Sequence, residues 1–187
     1  MINKHFLEEP NLVDLSKEIY KTVVRDKLEI NTRFNLLSDD IYDAETINFI
    51  LADGLGYENL NSTDSYLNQN VTKSINTTFP SSTNVALSSI AFMRNPIEHG
   101  LIAYYMFDKS QYGLINALNW NENNKNLLLN DFFQKQNSIW QVFKENKIHA
   151  KNFQPRNLVE TPLSNFLYNI SNIIPCLLYT SDAADDI

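Results

Sequence analysis

Three stretches of the chain hold residues whose types and spacing could do chemistry. The first is Phe49-Ile-Leu-Ala-Asp53-Gly54-Leu-Gly56-Tyr57, a carboxylate where an apolar run stops. In open α/β sheets the carboxyl ends of strands line the ligand crevice, and a carboxylate there is a good hard ligand for a metal. Gly54 and Gly56 would let the chain turn sharply and let a ligand approach the backbone. The plainer alternative is that Asp-Gly after a strand is only a turn. The glycine spacing is not G-x-G-x-x-G, so a dinucleotide fingerprint fits poorly.

The second stretch is Thr77-Thr-Phe-Pro-Ser-Ser-Thr83-Asn-Val-Ala-Leu-Ser-Ser89, a hydroxyl-rich turn running into an apolar helix. A helix N-terminus offers free backbone N–H groups and a partial positive charge, which together suit a phosphate. A Thr hydroxyl there could be a nucleophile if a base or a metal activates it. No His lies nearby in the sequence, which leaves metal activation as the physical option. The plainer alternative is a Ser/Thr helix cap, worth about 1 kcal/mol. The third stretch is Arg94-Asn-Pro-Ile-Glu98-His99-Gly100-Leu-Ile-Ala-Tyr104. His99 is either a ligand or base, or a hydrogen-bonded residue inside a turn that returns the chain to a sheet.

The elements that must position these residues follow from pattern. Leu12 to Val24 carries apolar residues at a helical period. Thr46 to Ala52 is a short apolar run with β-branched and aromatic residues, which predicts a buried strand of a parallel sheet. Ser38 to Tyr42 is polar and turn-like, while Leu55 to Leu60 and Ser65 to Leu67 suggest short helical turns. Val71 to Thr78 can be a strand, and the helix after it begins near Ser81-Ser82-Thr83. Ile102 to Phe107 and Tyr112 to Leu118 read as strands joined by a turn at Asp108 to Gln111. Asn121 to Asn130 reads as a loop, Ser138 to Glu145 as a helix and His149 to Phe153 as a strand. Strands alternating with helices favour an α/β layered sheet. No internal repeat, linker or domain boundary is visible.

Composition narrows the function classes. The 187 residues are 43% apolar and 20% charged, a globular mix rather than a disordered one. The formal net charge of -7 argues against a dedicated nucleic-acid binder. One cysteine, Cys176, excludes an internal disulfide framework and a Cys-based zinc cluster. Met1 to Val13 has no apolar core behind a basic start, and no run approaches the roughly 20 apolar residues of a membrane span. A cytoplasmic location without membrane attachment is therefore expected. The four glycosylation-like triplets, at Asn61, Asn70, Asn76 and Asn169, are read as chance in a chain with 26 Asn.

The end of the chain reads differently. Cys176-Leu-Leu-Tyr-Thr-Ser-Asp-Ala-Ala-Asp-Asp186 resembles the translation of a sequencing adapter. The expectation is that residues 1–175 are native and 176–187 are not. On that expectation three acids leave the count, the net charge falls to about -4, and the natural protein continues past Pro175.

In combination the three stretches resemble the alkaline phosphatase superfamily. The nearest branch is that of the type I phosphodiesterases and nucleotide pyrophosphatases, in its bacterial and archaeal form. The family pattern is a strand ending in Asp-Gly-Leu/Met-Gly, a Phe-Pro-Ser-Thr-Thr-like lead into the nucleophile helix, a Pro-x-Glu-His-Gly turn and an aromatic-rich strand. Here these stand as Asp53 to Gly56, Phe79 to Thr83 and Pro96 to Gly100, and the resemblance runs over roughly 46–168. It implies an alkaline-phosphatase-like α/β/α layered sheet, truncated here, with 1–175 the N-terminal part of a single domain.

The resemblance implies that Asp53 is a metal ligand and that a Thr is the nucleophile. Thr78 precedes Phe-Pro, as the nucleophile does in eukaryotic-type members, whereas Thr83 lies 17 residues before Gly100, the spacing those members keep. Spacing across a helix is harder to shift than a dipeptide, so Thr83 is chosen over Thr78. Two departures stand out. The family's Thr-Gly after the nucleophile helix is Phe92-Met93 here, and the position of a phosphate-contacting Asn in diesterases is Tyr104, as in the bacterial branch.

The implied mechanism uses two divalent metals, usually zinc, about 4 Å apart. One, held partly by Asp53, would lower the pKa of the Thr83 hydroxyl, and a phospho-threonine intermediate would follow. The other ligands in the family are downstream Asp and His residues. After Thr83 the only His here are His99 and His149. The 187-residue chain alone is therefore expected to be inactive and to bind zinc weakly, and its substrate to be a small phosphate ester or nucleotide. A phosphomonoesterase, a metal-dependent mutase and a non-catalytic module with this fold are the alternatives. The missing Cys/Ser-x-Pro-x-Arg signature argues against a sulfatase.

Overall fold

The computed structural model describes residues 8–25, 30–108, 113–120, 133, 136–168 and 172–176. It divides into two compact units, Met1–Thr78 and Phe79–Ile187. It mixes helices with small sheets, a general α/β composition.

The first unit is organised by α1, Leu12–Val24, whose bounds match the periodicity of the sequence. It starts there because Asn11 caps it. The Asn11 Oδ1 accepts the N–H groups of Val13 at 2.8 Å and Asp14 at 3.3 Å, and Asp14 Oδ2 accepts the Asn11 N–H at 3.1 Å. Leu12, Val13, Tyr20 and Val24 form its buried stripe. Asp14 and Glu18 are also buried, one turn apart. Arg33 grips Asp14 through Nε at 3.2 Å and Nη2 at 3.0 Å. Glu18 Oε2 accepts the backbone N–H groups of Leu36 at 2.7 Å and Leu37 at 3.0 Å. These two carboxylates hold the 33–37 segment against the helix. Short helices follow at Asp39–Tyr42 (α2), Tyr57–Asn61 (α3) and Tyr66–Gln69 (α4).

Thr46 to Ala52 corrects the sequence reading. It forms no strand, and Ile50 is 86% exposed, with Phe49 and Leu51 exposed beside it. Its residues favour a strand, but a strand exists only where another segment pairs with it. No described residue supplies that ladder. The reading of Val71 to Thr78 as a strand shrinks to one parallel bridge, Asn76 with Asn11. There the Leu12 N–H donates to Asn76 O at 3.0 Å, and the Asn76 N–H donates to Pro10 O at 2.9 Å.

The second unit is built on α5, Thr83–Phe92, and α6, Pro96–His99. Almost every side of α5 is apolar or small, so it is buried nearly all round. Val85, Ala91 and Phe92 pack with Leu101, Ile115, Ala117, Trp120, Phe133, Leu163, Leu167 and Tyr168. The hairpin strands β1, Tyr105–Asp108, and β2, Gly113–Asn116, pair antiparallel with Met106 opposite Ile115. The expected turn at 108–111 and loop at 121–130 lie outside the described residues, apart from Asp108 in β1.

Helix α7, Ile139–Glu145, starts from its cap Ser138. Strand β3, Lys151–Pro155, leads through α8, Arg156–Val159, and α9, Pro162–Tyr168, to β4, Asn172–Cys176. These two strands are parallel, with the helices as the crossover that parallel pairing needs. Strand β4 includes Cys176, so it runs across the boundary expected at 175; residues 177–187 lie outside the described set. The described strands form two separate two-stranded sheets.

The Phe92-Met93 pair has a structural consequence. Met93 closes α5 with φ 54° and ψ 37°, the left-handed conformation. The following Arg94 N–H donates to Ser89 O at 3.3 Å, a Schellman-type closure. Glycine adopts that conformation without steric cost, whereas Met carries a Cβ penalty. Met93→Gly is therefore expected to raise the unfolding free energy of this unit by about 0.5–1 kcal/mol. The urea midpoint followed by tryptophan fluorescence measures it. Both tryptophans, Trp120 and Trp140, lie in the second unit.

Candidate functional site

Asp53 belongs to the first unit, and Thr83 and Tyr104 to the second. Asp53 is exposed in a turn with Gly54. Gly54 has φ 75°, so the turn needs a glycine there. Gly56 sits at φ -80° before α3, a conformation open to other residues.

Thr83 is the first residue of α5 and is exposed. Thr78 is 3% exposed. The two candidate nucleophiles therefore differ in access to solvent. Ser82 holds the cap position, but its hydroxyl does not bond the helix backbone as the sequence reading of the start implied. It donates instead to Asn84 Oδ1 at 2.8 Å.

Asn84 is the residue that sequence reasoning missed. Its side chain is fully buried. Besides accepting from Ser82, it donates through Nδ2 to Ala103 O at 2.9 Å. Thr83 precedes Asn84, and Tyr104 follows Ala103, so this bond ties the first turn of α5 to the segment carrying Tyr104. Tyr104 is 38% exposed, with its ring edge-on to Tyr105 at 5.1 Å. Its carbonyl accepts the Ala117 N–H at 2.8 Å, which fixes the backbone beside the hairpin. Nothing in the local pattern marked Asn84, because an Asn in a first turn reads as an ordinary polar position.

His99 takes the turn role and not that of an exposed ligand. It is 1% exposed, at the end of α6. Its Nε2 lies 2.9 Å from Ser89 Oγ, and its Nδ1 accepts the Leu101 N–H at 3.2 Å. Burial pushes its pKa from 6.5 down to about 4, against a weaker upward pull from Glu98. Gly100, at φ 84°, completes the turn.

The oxygen donors Asp53 and Thr83 suit a hard divalent metal by chemistry. Among the described residues, however, no group of three or more His, Cys, Asp or Glu could hold a metal ion. The donors described here do not build a zinc site by themselves, which takes about four ligands. The carboxyl ends of β3 and β4 border a pocket lined by Pro155, Arg156, Asn157, Glu160 and Cys176, none of them a candidate site residue from sequence. Among the described residues no helix is long and apolar enough to cross a membrane. No family model, curated protein or solved structure matches the chain.

Proposed function

We propose that the chain is the N-terminal part of a metal-dependent phosphoric ester hydrolase of the phosphodiesterase and nucleotide pyrophosphatase type. Thr83 is the nucleophile, Asp53 a metal ligand and Tyr104 a substrate contact. The fold proposed for the whole protein is the alkaline-phosphatase-like α/β/α layered sheet. The substrate class is a small phosphate ester or nucleotide, and the cofactor a pair of divalent metals, zinc by resemblance.

One observation carries the assignment of Thr83: it is exposed on the first turn of a ten-residue helix, while Thr78 is buried. A nucleophile must reach phosphorus, so access separates the two. The N-terminus of α5 adds a partial positive charge beside the Thr83 hydroxyl, which favours an anionic ester. Asn84 keeps that turn in place against Ala103, and Tyr104, the next residue along the chain, is exposed. The described donors alone fall short of holding two metals.

The test is turnover of bis-p-nitrophenyl phosphate by the 187-residue chain in excess zinc. Neither it nor its Thr83→Ala variant should release p-nitrophenol above the protein-free rate. Turnover lost on Thr83→Ala would overturn the ligand count. Turnover that survives Thr83→Ala would overturn the nucleophile.

A further inference from the structure

The imidazole of His99 sits in a hydrogen-bond chain that only one of its forms can complete. The Leu101 N–H can only donate, so the Nδ1 that it reaches must be an unprotonated acceptor. The proton of the neutral ring is then on Nε2, which donates to Ser89 Oγ at 2.9 Å. Ser89 is fully buried, and so is Leu101, whose side chain belongs to the core of the second unit. The chain thus fastens the α6 turn to the last part of α5.

Protonating His99 makes both ring nitrogens donors. The Nδ1–H would then face the Leu101 N–H, donor against donor, inside a site closed to water. The surroundings offer little compensation. Helix α5 carries no titratable residue, and the Phe92 ring stands 6.2 Å from the imidazole. The charged neighbour on the turn is Glu98, whose Oε2 already accepts the Asn95 N–H at 2.8 Å. Arg94, in the connection between the helices, is exposed.

We propose that Ser89, His99 and Leu101 form an acid-sensitive latch, in which protonation of His99 breaks the Leu101 bond and loosens the 99–101 turn, while Nε2–H keeps its bond to Ser89 on α5. On the other side of that turn, Asn84 still holds Ala103 O. Opening is therefore confined to the stretch between the two anchors. The latch stands whether or not the protein hydrolyses phosphate esters.

The sign follows from the two states. The unfolded ring takes a proton near 6.5, and the buried ring near 4. Stability that depends on the buried ring staying neutral is complete above pH 6.5 and is lost as the pH falls toward 4. Across that window the folding constant falls by up to about tenfold per pH unit, roughly 100-fold in all.

Ring ¹⁵N spectra of the whole chain test this directly, recorded while the pH is lowered from neutral. The expected result is an Nε2–H tautomer that stays neutral until the pH is well below 6, with the Leu101 amide losing its exchange protection at the same midpoint. His99→Gln should flatten the pH dependence of the urea midpoint. An Nδ1–H tautomer, a midpoint near 6.5, or a Leu101 amide protected throughout would overturn the latch. So would an undiminished pH dependence in His99→Gln. If that variant does not fold, the wild-type spectra and Leu101 exchange decide alone.

Discussion

Thr83→Ala should lower kcat/KM for a p-nitrophenyl phosphate ester by about 10⁴-fold or more, in a longer protein joining this sequence to the remaining Asp and His ligands. Removing a nucleophile deletes the covalent route itself, and what survives comes from binding and charge stabilisation. The hydroxyl at stake is exposed at the head of α5, and its loss removes no buried contact of the core cluster. The variant should therefore fold as the parent does, with an unchanged urea midpoint. Thr78→Ala should behave in the opposite way. Thr78 is buried, so its replacement should cost stability and leave kcat nearly unchanged. A large fall in kcat with Thr78→Ala, with Thr83→Ala still active, would reverse the assignment.

Phe92→Ala should be the most damaging change to the fold, at about 3–5 kcal/mol of unfolding free energy. Phe92 is 3% exposed and meets Phe133 at 4.8 Å between ring centroids, with Phe166 at 6.3 Å and the His99 ring at 6.2 Å. Phe133 in turn stacks on Phe166 at 5.2 Å, so one ring supports a chain of others. Removing it leaves a cavity that rigid neighbours cannot fill. A domain is stable by only about 5–15 kcal/mol, so a loss of this size approaches unfolding. Urea denaturation followed by tryptophan fluorescence checks it, because the signal comes from the second unit alone. A midpoint within the error of the parent would show that Phe92 does not support this core.

What the sequence made legible was mostly local. The bounds of α1 follow from Asn11 as a cap and from the apolar period behind it. Helix α5 was marked by a hydroxyl-rich start, α7 by its apolar face, and the hairpin by two β-rich runs around a turn. The misses are non-local. Thr46 to Ala52 has strand composition, but a ladder depends on a second segment that no local pattern reveals. Asp14 and Glu18 look like the wet face of a helix, and only their long-range partners at 33–37 explain their burial.

The candidate site shows the same division. Thr83 and Tyr104 were named from a family resemblance, with spacing choosing Thr83 over Thr78, and the turn role of His99 was one of two readings of its triplet. Asn84, which links them through Ala103, could not be found without the fold. Its partner is 19 residues away along the chain. Met93 is another position that needed the fold: its backbone takes a left-handed turn that the side chain disfavours.

The central claim is that Thr83 carries the phosphoryl group. The measurement that meets it most directly is tandem mass spectrometry of peptides from an acid-quenched reaction. The protein would be the longer one, holding its metals and caught in turnover with a p-nitrophenyl ester. The account predicts one added phosphate, on Thr83, absent from Thr83→Ala. A phosphate on Thr78, or turnover with no phospho-threonine trapped at any time, would contradict it.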